Sequence, residues 1–333
     1  MSALDAAVTA ALRAKYGDAV AVAGLRTLQG GRSGVTLTAE VTGIAGHDAV
    51  VVKAAPDGRP PTGRHDVLRQ GRVIEHVHAL PGFVVPEILA TGTQPVHFVV
   101  MQRSAGESVE PVLDAAEIHL SADLVTRRAF IAAEMLAALH AALDTPRLAD
   151  GACEPPADLG SEVSRWRQVG EAADPEILRD GARLAALLDK LQPRTPVEPV
   201  LVHGDYRLGN IVFDGPTPTG VIDWEIWGRT HPGVDIGWFL VFCDPDLFPG
   251  IGEPVAGMPS SLELLGRYRA AGGSDVEELA WFEAFGRFKM AAIMAHNLRR
   301  HREGRHHDPF QERLPPTINA LVQTGIDKLD SGA

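Results

Sequence analysis

The apolar positions of this chain change period along its length, and each change marks an element. Over residues 4–16, Leu4, Val8 and Leu12 recur at helical spacing with alanines between them, which predicts an amphipathic helix. From 19 to 55 the texture is short and alternating: Ala19–Gly24, Val35–Val41 and Ala49–Ala55 read as strands, parted by Gly30–Gly31 and by Gly43–Asp48. Pro56–Gly63 is a loop, and Val67, Val73, Ile74, Val77 and Leu80 line one side of a second helix that Pro81–Gly82 ends. Val84–Ala90 and His97–Gln102 return to strand texture. The order β-β-β-α-β-β predicts a small antiparallel sheet with one helix.

After Arg103 helical spacing prevails. Ala129–Leu143 carries Phe130, Met135, Leu136 and Leu139 on a stripe and ends before Pro146. Two more helical patterns occupy 161–191, and Phe282, Phe285, Met290 and Ile293 mark a late helix. Between them Val200–His203 is a strand, and the apolar run GWFLVF is a core segment. The fold class is therefore α+β, with a β-rich lobe over 1–103 and a mainly helical lobe over 104–333.

Composition narrows the class. The 333 residues are 45% hydrophobic and 22% charged, the proportions of a globular chain. A formal charge of −12 is a poor footprint for nucleic acid. Cys153 and Cys243 form no CxxC pair, which argues against a disulfide framework or a structural zinc site. No run approaches the roughly 20 apolar residues of a membrane span, and MSALDAAVTAALRAKYG lacks the basic start and apolar core of a secretory signal. The expectation is a cytoplasmic chain with neither nucleic acid nor membrane as partner; oligomeric state is not legible.

The chemistry is concentrated in 200–238, VLVHGDYRLGNIVFDGPTPTGVIDWEIWGRTHPGVDIGW. An apolar strand delivers His203-Gly204-Asp205 to a loop, Asn210 follows Asp205 by five positions, and Ile211–Phe213 with Gly220–Ile222 form a hairpin ending at Asp223. Two carboxylates and a carboxamide at strand ends are hard oxygen donors that suit Mg²⁺. A carboxylate set apart from the metal can take the proton of an attacking hydroxyl. Together they meet the needs of in-line phosphoryl transfer from Mg-ATP, where catalysis is mostly positioning and charge neutralisation.

HGDYRLGN followed by IDWE resembles the signature of the aminoglycoside phosphotransferase family, a branch of the protein-kinase-like superfold, over roughly residues 20 to 300. The resemblance implies a bilobal fold whose N-terminal lobe binds the nucleotide, with Asp205 as catalytic base, Asn210 and Asp223 as Mg²⁺ ligands, and His203 as a scaffold of the loop. Asp235 resembles the family's buried Asp that hydrogen-bonds the catalytic-loop backbone, and His140 lies in a matching helix end, LAALHAALD. The loop Leu28–Val41 resembles the family's GGxSNxT loop, with Gly30, Gly31 and Ser33 in place and Gly34 where Asn is usual; its amides would meet phosphate oxygens. Lys53, on the next strand, supplies the phosphates' charge partner.

One element departs from the pattern. The superfold's small-lobe helix presents a Glu to the strand lysine, but here Gln70 stands at that position. Glu75 lies five residues on, about 140° around a helix. Either Gln70 orients Lys53 through a neutral hydrogen bond, or Glu75 does so by a register shift, or no tight pair forms. Met101, Gln102 and Arg103, at the end of the strand entering the hinge, are the candidates to read adenine. No GxxxxGK[ST], GxSxG or HExxH sequence occurs.

Glu225 and Trp227, directly after Asp223, are candidates to face the acceptor; Arg207 could meet the γ-phosphate, an acidic acceptor, or solvent. Residues 244–283 hold eight acids against two bases, a surface that suits a polycation or is simply solvated. The C-terminal segment resembles a broad subgroup of the family, some of whose members occur beside acyl-CoA dehydrogenases. The expectation is thus an ATP- and Mg²⁺-dependent phosphotransferase acting on a hydroxyl of a small molecule; the acceptor is left open, a hydroxy acid or its thioester being offered ahead of an antibiotic. The alternative, motivated by Gln70, is a nucleotide-binding regulatory module with weak catalysis.

Overall fold

The structure, a computed structural model, describes residues 3–28, 35–56, 58, 60, 62–142, 154–173 and 176–331. Gly30, Gly31, Ser33 and Gly34 of the expected phosphate loop lie outside these residues. The chain forms two compact units: of the described residues, one holds 3–107, Glu154 and Val212–Trp227, and the other holds the rest.

The first unit begins with α1 (Ala3–Tyr16), β1 (Ala21–Thr27), β2 (Val35–Ile44), β3 (His47–Ala54), α2 (Val67–Val77), β4 (Ile88–Gly92) and β5 (Phe98–Gln102). The strands make one antiparallel sheet in the order β1-β2-β3-β5-β4. The strand period of two sorts β3 by face. Val50, Val52 and Ala54 are buried in a cluster with Val8 and Leu12 of α1 and with Leu37, Leu89 and Phe98. Lys53 points to the opposite face, paired with Val99 of β5. Val99 in turn lies beside Gly71 of α2, where a Cβ would come within 3.0 Å of its methyl. The sheet lysine and α2 therefore share a face. Asp66 caps α2 by accepting from the Arg69 amide at 2.9 Å.

The strand expected over Val84–Ala90 begins four residues later, because Pro86 has no N–H to give a ladder. The Val84 carbonyl instead accepts from Val221 at 2.9 Å. Val221 belongs to a distant hairpin, which joins this unit through reciprocal bonds of Glu107 and Phe213 at 2.9 and 2.8 Å. Gly106, at φ +103°, makes that approach possible; a Cβ there would fall 2.0 Å from the Phe213 carbonyl oxygen.

The second unit is mainly helical: α3 (Pro111–Asp114), α4 (Ala122–His140), α5 (Leu159–Glu171), α6 (Gly181–Lys190) and the short strand β6 (Val200–Val202). In chain order the hairpin strands β7 (Ile211–Asp214) and β8 (Thr217–Val221), which fold with the first unit from Val212 on, come next. The chain returns in β9 (Gly228–Thr230), which pairs antiparallel with β6, then α7 (Gly233–Val241), α8 (Ser261–Ala270), α9 (Leu279–Arg302) and α10 (Pro315–Ser331). The helix expected from Ala129 starts seven residues earlier, where the Ser121 side chain accepts from the Leu124 amide at 3.3 Å. α9 is buried all round, Trp281 through Ala292 without a break, so it is the core of this unit rather than an amphipathic surface helix. Burying Phe282, Phe285 and Phe288 contributes about 1.5–3 kcal/mol each. Glycines let α7 and α9 touch backbone to backbone: a Cβ on Gly237 would meet the Phe282 carbonyl oxygen at 2.1 Å.

Candidate active site

In the second unit β6 runs into the loop His203–Asn210, which is pinned from beneath by buried groups. Asp235, in the first turn of α7, accepts the His203 amide on Oδ2 at 2.7 Å and the Gly204 amide on Oδ1 at 2.8 Å. Burial alone would raise its carboxyl, but the hydrogen bond and charge of His140, with help from His203, hold it below the usual carboxylate range. His140 Nε2 lies 3.4 Å from Asp235, and its Nδ1 lies 2.8 Å from the Tyr268 hydroxyl. His203 is itself buried and accepts the Asp205 amide on Nδ1 at 3.1 Å. Asn210 closes the loop, its side-chain nitrogen donating to the Asp205 carbonyl at 2.8 Å. That bond leaves the Asn210 side-chain oxygen as its donor toward a cation.

Among the described residues, the Asp205 carboxylate meets two side chains, both at Oδ1. The Trp238 indole N–H donates at 2.8 Å, and Arg207 Nε lies 3.5 Å away. Arg207 also reaches Glu110 at 3.3 Å and stacks over Phe242 at 5.2 Å. Glu110 is buried at the start of α3, and its Oε2 accepts the Gly209 amide at 3.0 Å. Burial pushes the Glu110 carboxyl up to about 7, against the lowering pull of Arg207 and Gly209. Behind the loop Lys289 of α9 donates to the Gly204 carbonyl and sits 3.8 Å from the centre of the Trp238 ring. Burial pulls its ammonium down to about 8, with the charges of Asp205 and Asp235 resisting.

In the first unit Lys53 donates to Asp223 Oδ1 at 2.8 Å, with side chains 13% and 38% exposed. Asp223 follows β8 in the left-handed region at φ 68° and ψ 54°, a conformation rare outside glycine that tends to cluster at functional sites. Trp224 stabilises the turn after it, donating to the Val221 carbonyl at 3.0 Å and packing edge-on against Phe83. On α2 Gln70 is buried, only 4% exposed, and Glu75 is exposed, so a register shift that would turn Glu75 toward Lys53 is absent.

The remaining expected residues of this unit fall as follows. The Gln102 and Arg103 amides donate to the Glu87 and Ala49 carbonyls at 2.8 and 3.4 Å, and Met101 is paired between β3 and β4. Glu225 is half-buried; Trp227 is buried, with the Arg69 guanidinium 3.8 Å from its ring centre. Arg69 is held in turn by Glu154 at 2.9 Å and by the Trp227 carbonyl at 2.9 Å.

Residues 25–282 match the family model described as "Phosphotransferase enzyme family". The chain belongs to this family. Among its relatives, it is 27% identical over 306 residues to acyl-CoA dehydrogenase family member 11 of Homo sapiens, covering 84% of this chain and 37% of that protein. The chain thus spans little more than a third of that relative's length. A solved structure from Ralstonia eutropha, provisionally assigned to the aminoglycoside phosphotransferases, superposes with a TM-score of 0.77 at 20% identity, covering 99% of this chain and 98% of that one. A thermostable mutant of aminoglycoside phosphotransferase APH(4)-Ia, in ternary complex with ADP and hygromycin B, gives a TM-score of 0.61 at 15% identity over 94% of this chain and 97% of its own. At such identities the likeness is one of fold, the kinase-like, bilobal α+β architecture.

Three residues of this phosphotransferase-family chain escaped the sequence reading. Trp238 lay inside the run taken only as core. Lys289 carried a signal that was not used, a lysine inside the apolar stretch WFEAFGRFKMAAIMA, where a charge is seldom placed without a partner. Glu110 had none, being a single acid before Pro111 and 99 residues from its partner amide.

Proposed function

We propose that the chain is an ATP- and Mg²⁺-dependent phosphotransferase that moves the γ-phosphoryl group to a hydroxyl of a small molecule. The observation that carries this reading is the Lys53–Asp223 ion pair, which joins a sheet lysine to the acid of IDWE across 170 residues. A solvated lysine and a strand-end cap have no reason to meet. The donor set fits the metal: the Asn210 side-chain oxygen and the Asp223 carboxylate are hard ligands of the kind Mg²⁺ takes alongside phosphates. When bound, Mg²⁺ draws phosphate charge away from the transferring group.

In this reading Asp205 accepts the proton of the acceptor hydroxyl while that oxygen forms its bond to the γ-phosphorus and the bond to the ADP oxygen breaks. Lys53 releases Asp223 and meets phosphate oxygens. Arg207, steered by Glu110, faces the transferring group. Gly30, Gly31, Ser33 and Gly34 supply amides to the phosphates, and Gln70 orients Lys53 through a neutral hydrogen bond. Adenine meets backbone groups at the end of β5, where Met101, Gln102 and Arg103 lead out of the strand. Glu225 faces the acceptor, with Trp227 as its support under Arg69; His203 and Asp235 hold the loop.

The acceptor is a hydroxy acid or its thioester rather than a polycationic antibiotic. Relatives named as acyl-CoA dehydrogenases support this. So does the acid-rich segment, whose carboxylates serve local structure: Glu263 closes the capping box of α8, Asp275 pairs with Arg269, and Glu283 pairs with Lys328 at 2.7 Å.

The test is incubation of the chain and of Asp205→Asn with γ-labelled ATP and a metabolite pool, followed by mass spectrometry of labelled products. Wild type should label a hydroxylated small molecule, and the variant should lose transfer by at least about a thousandfold with nucleotide affinity unchanged. Full turnover in the variant would overturn the reading; ATP binding without any product would favour the regulatory module.

A further inference from the structure

Asp205 is held at two levels by one helix. Asp235, at the start of α7, grips the backbone of His203 and Gly204, and Trp238, three residues on and so on the same helix face, donates its indole N–H to the Asp205 carboxylate at 2.8 Å. Arg207 Nε approaches the same oxygen, Oδ1, at 3.5 Å. Trp238 is almost fully buried, its edge against Phe242 at 5.2 Å. Over its face lies Lys289, 2% exposed, whose amine also donates to the Gly204 carbonyl.

A lysine buried to this degree is costly, and a methionine would fill the same space without desolvating a charge. What the ammonium does that a methionine cannot is hold two things at once: the backbone oxygen preceding Asp205 and the π face of the ring that meets its side chain. A cation over that face also draws density from the indole and strengthens its N–H as a donor.

We propose that Trp238, locked by Lys289, is a positioning residue for Asp205, occupying Oδ1 so that Oδ2 is the oxygen that takes the acceptor's proton. This rests on the phosphotransfer reading, in which that proton leaves the hydroxyl as its oxygen bonds to phosphorus. The device uses core packing rather than a further acid or base, so its loss weakens catalysis without weakening nucleotide binding.

The test uses the full chain with Mg-ATP alone, water being the acceptor, and reads released labelled phosphate. Trp238→Phe keeps the ring under Lys289 but removes the N–H, and should lower kcat about tenfold to a hundredfold while KM for ATP stays within about twofold. Lys289→Met should lower kcat in the same way while its melting temperature holds or rises, which a purely structural lysine would not do. A second readout needs no turnover. With ¹⁵N-labelled tryptophan the chain's five indoles give five N–H signals; the one missing in Trp238→Phe should shift in both Asp205→Asn and Lys289→Met. Wild-type kcat in Trp238→Phe, or an indole signal unmoved by Asp205→Asn, would overturn the positioning role and leave the phosphotransfer reading standing. A wild-type chain that neither releases phosphate nor labels a product in the metabolite pool would overturn that reading, and the proposal with it, even where the indole signals move.

Discussion

Lys53 and Lys289 belong to different units and meet opposite kinds of partner. Lys53 lies on a sheet face and is paired with a partly exposed carboxylate at 2.8 Å. Lys289 lies in the helical core against a carbonyl and two indole faces, 3.8 and 5.0 Å from its amine. An ion pair with one partly exposed partner gives up that partner more readily than a fully buried one does. A buried ammonium cannot leave its site without stranding the groups around it. In the proposed function the first arrangement suits a lysine that lets go of Asp223 to meet a phosphate, and the second suits one that does not move. On that proposal the same residue type is a ligand group in one unit and a scaffold in the other because of the dielectric around it.

Replacing each lysine's setting should separate the two roles. The largest effect is expected from Lys53→Met, which should cut phosphate release by about a hundredfold, as loss of a preorganised charge at a developing anion does. Its melting temperature should stay within a degree or two, measured by calorimetry without nucleotide. A variant that melted far lower would make Lys53 a purely structural residue.

The helical unit should behave in the reverse way. Asp235→Asn leaves one of two backbone amides poorly matched and takes a charge from beside His140, so it should destabilise by about 2–4 kcal/mol in denaturant unfolding. Loss of turnover would then follow loss of the loop. Unchanged stability would mean that the loop is held by other contacts.

The smallest effect is one of pH. The Lys289 ammonium titrates at about 8 in the folded chain against an ordinary 10.5, because of burial. Between those values the unfolded chain holds the proton that the folded chain has released, so raising pH stabilises the fold; below about 8 both hold it and the cost is constant. The stability of wild type relative to Lys289→Met should therefore climb from pH 8 toward 10.5, followed by urea midpoints. Glu110 works in the other direction. Burial raises it from 4.5 to about 7, so its contribution is present below pH 4.5 and is lost as pH rises through 7.

Much of the fold was legible because most elements announce themselves locally. The strand period of 35–54, the helix at 67–77 and the block from His203 to Asp223 are all short-range patterns. β4 starts after Pro86, and the helices α8 and α10 were not anticipated, although Leu264, Leu265 and Tyr268 in one and Ile318, Leu321, Val322, Ile326 and Leu329 in the other stand at helical spacing. The unit boundaries also resist reading, since Val212–Trp227 folds with residues 3–107 through hydrogen bonds to Val84, Ala105 and Glu107 that no local pattern encodes.

The site divides in the same way. The types and spacing of Asp205, Asn210 and Asp223 were readable because a loop and the hairpin after it are contiguous, and the chemistry of hard oxygen donors does not depend on what surrounds them. The ion pair of Lys53 with Asp223, 170 residues on, was not anticipated. Trp238, Lys289 and Glu110 became visible only as neighbours. The chain alone determined which chemical groups are present and which of them share a loop, since covalent order sets both. Folding decided which groups touch, which oxygen of a carboxylate is occupied and which charges lie out of water. Those depend on distances between residues remote in sequence and on the low dielectric of a packed interior.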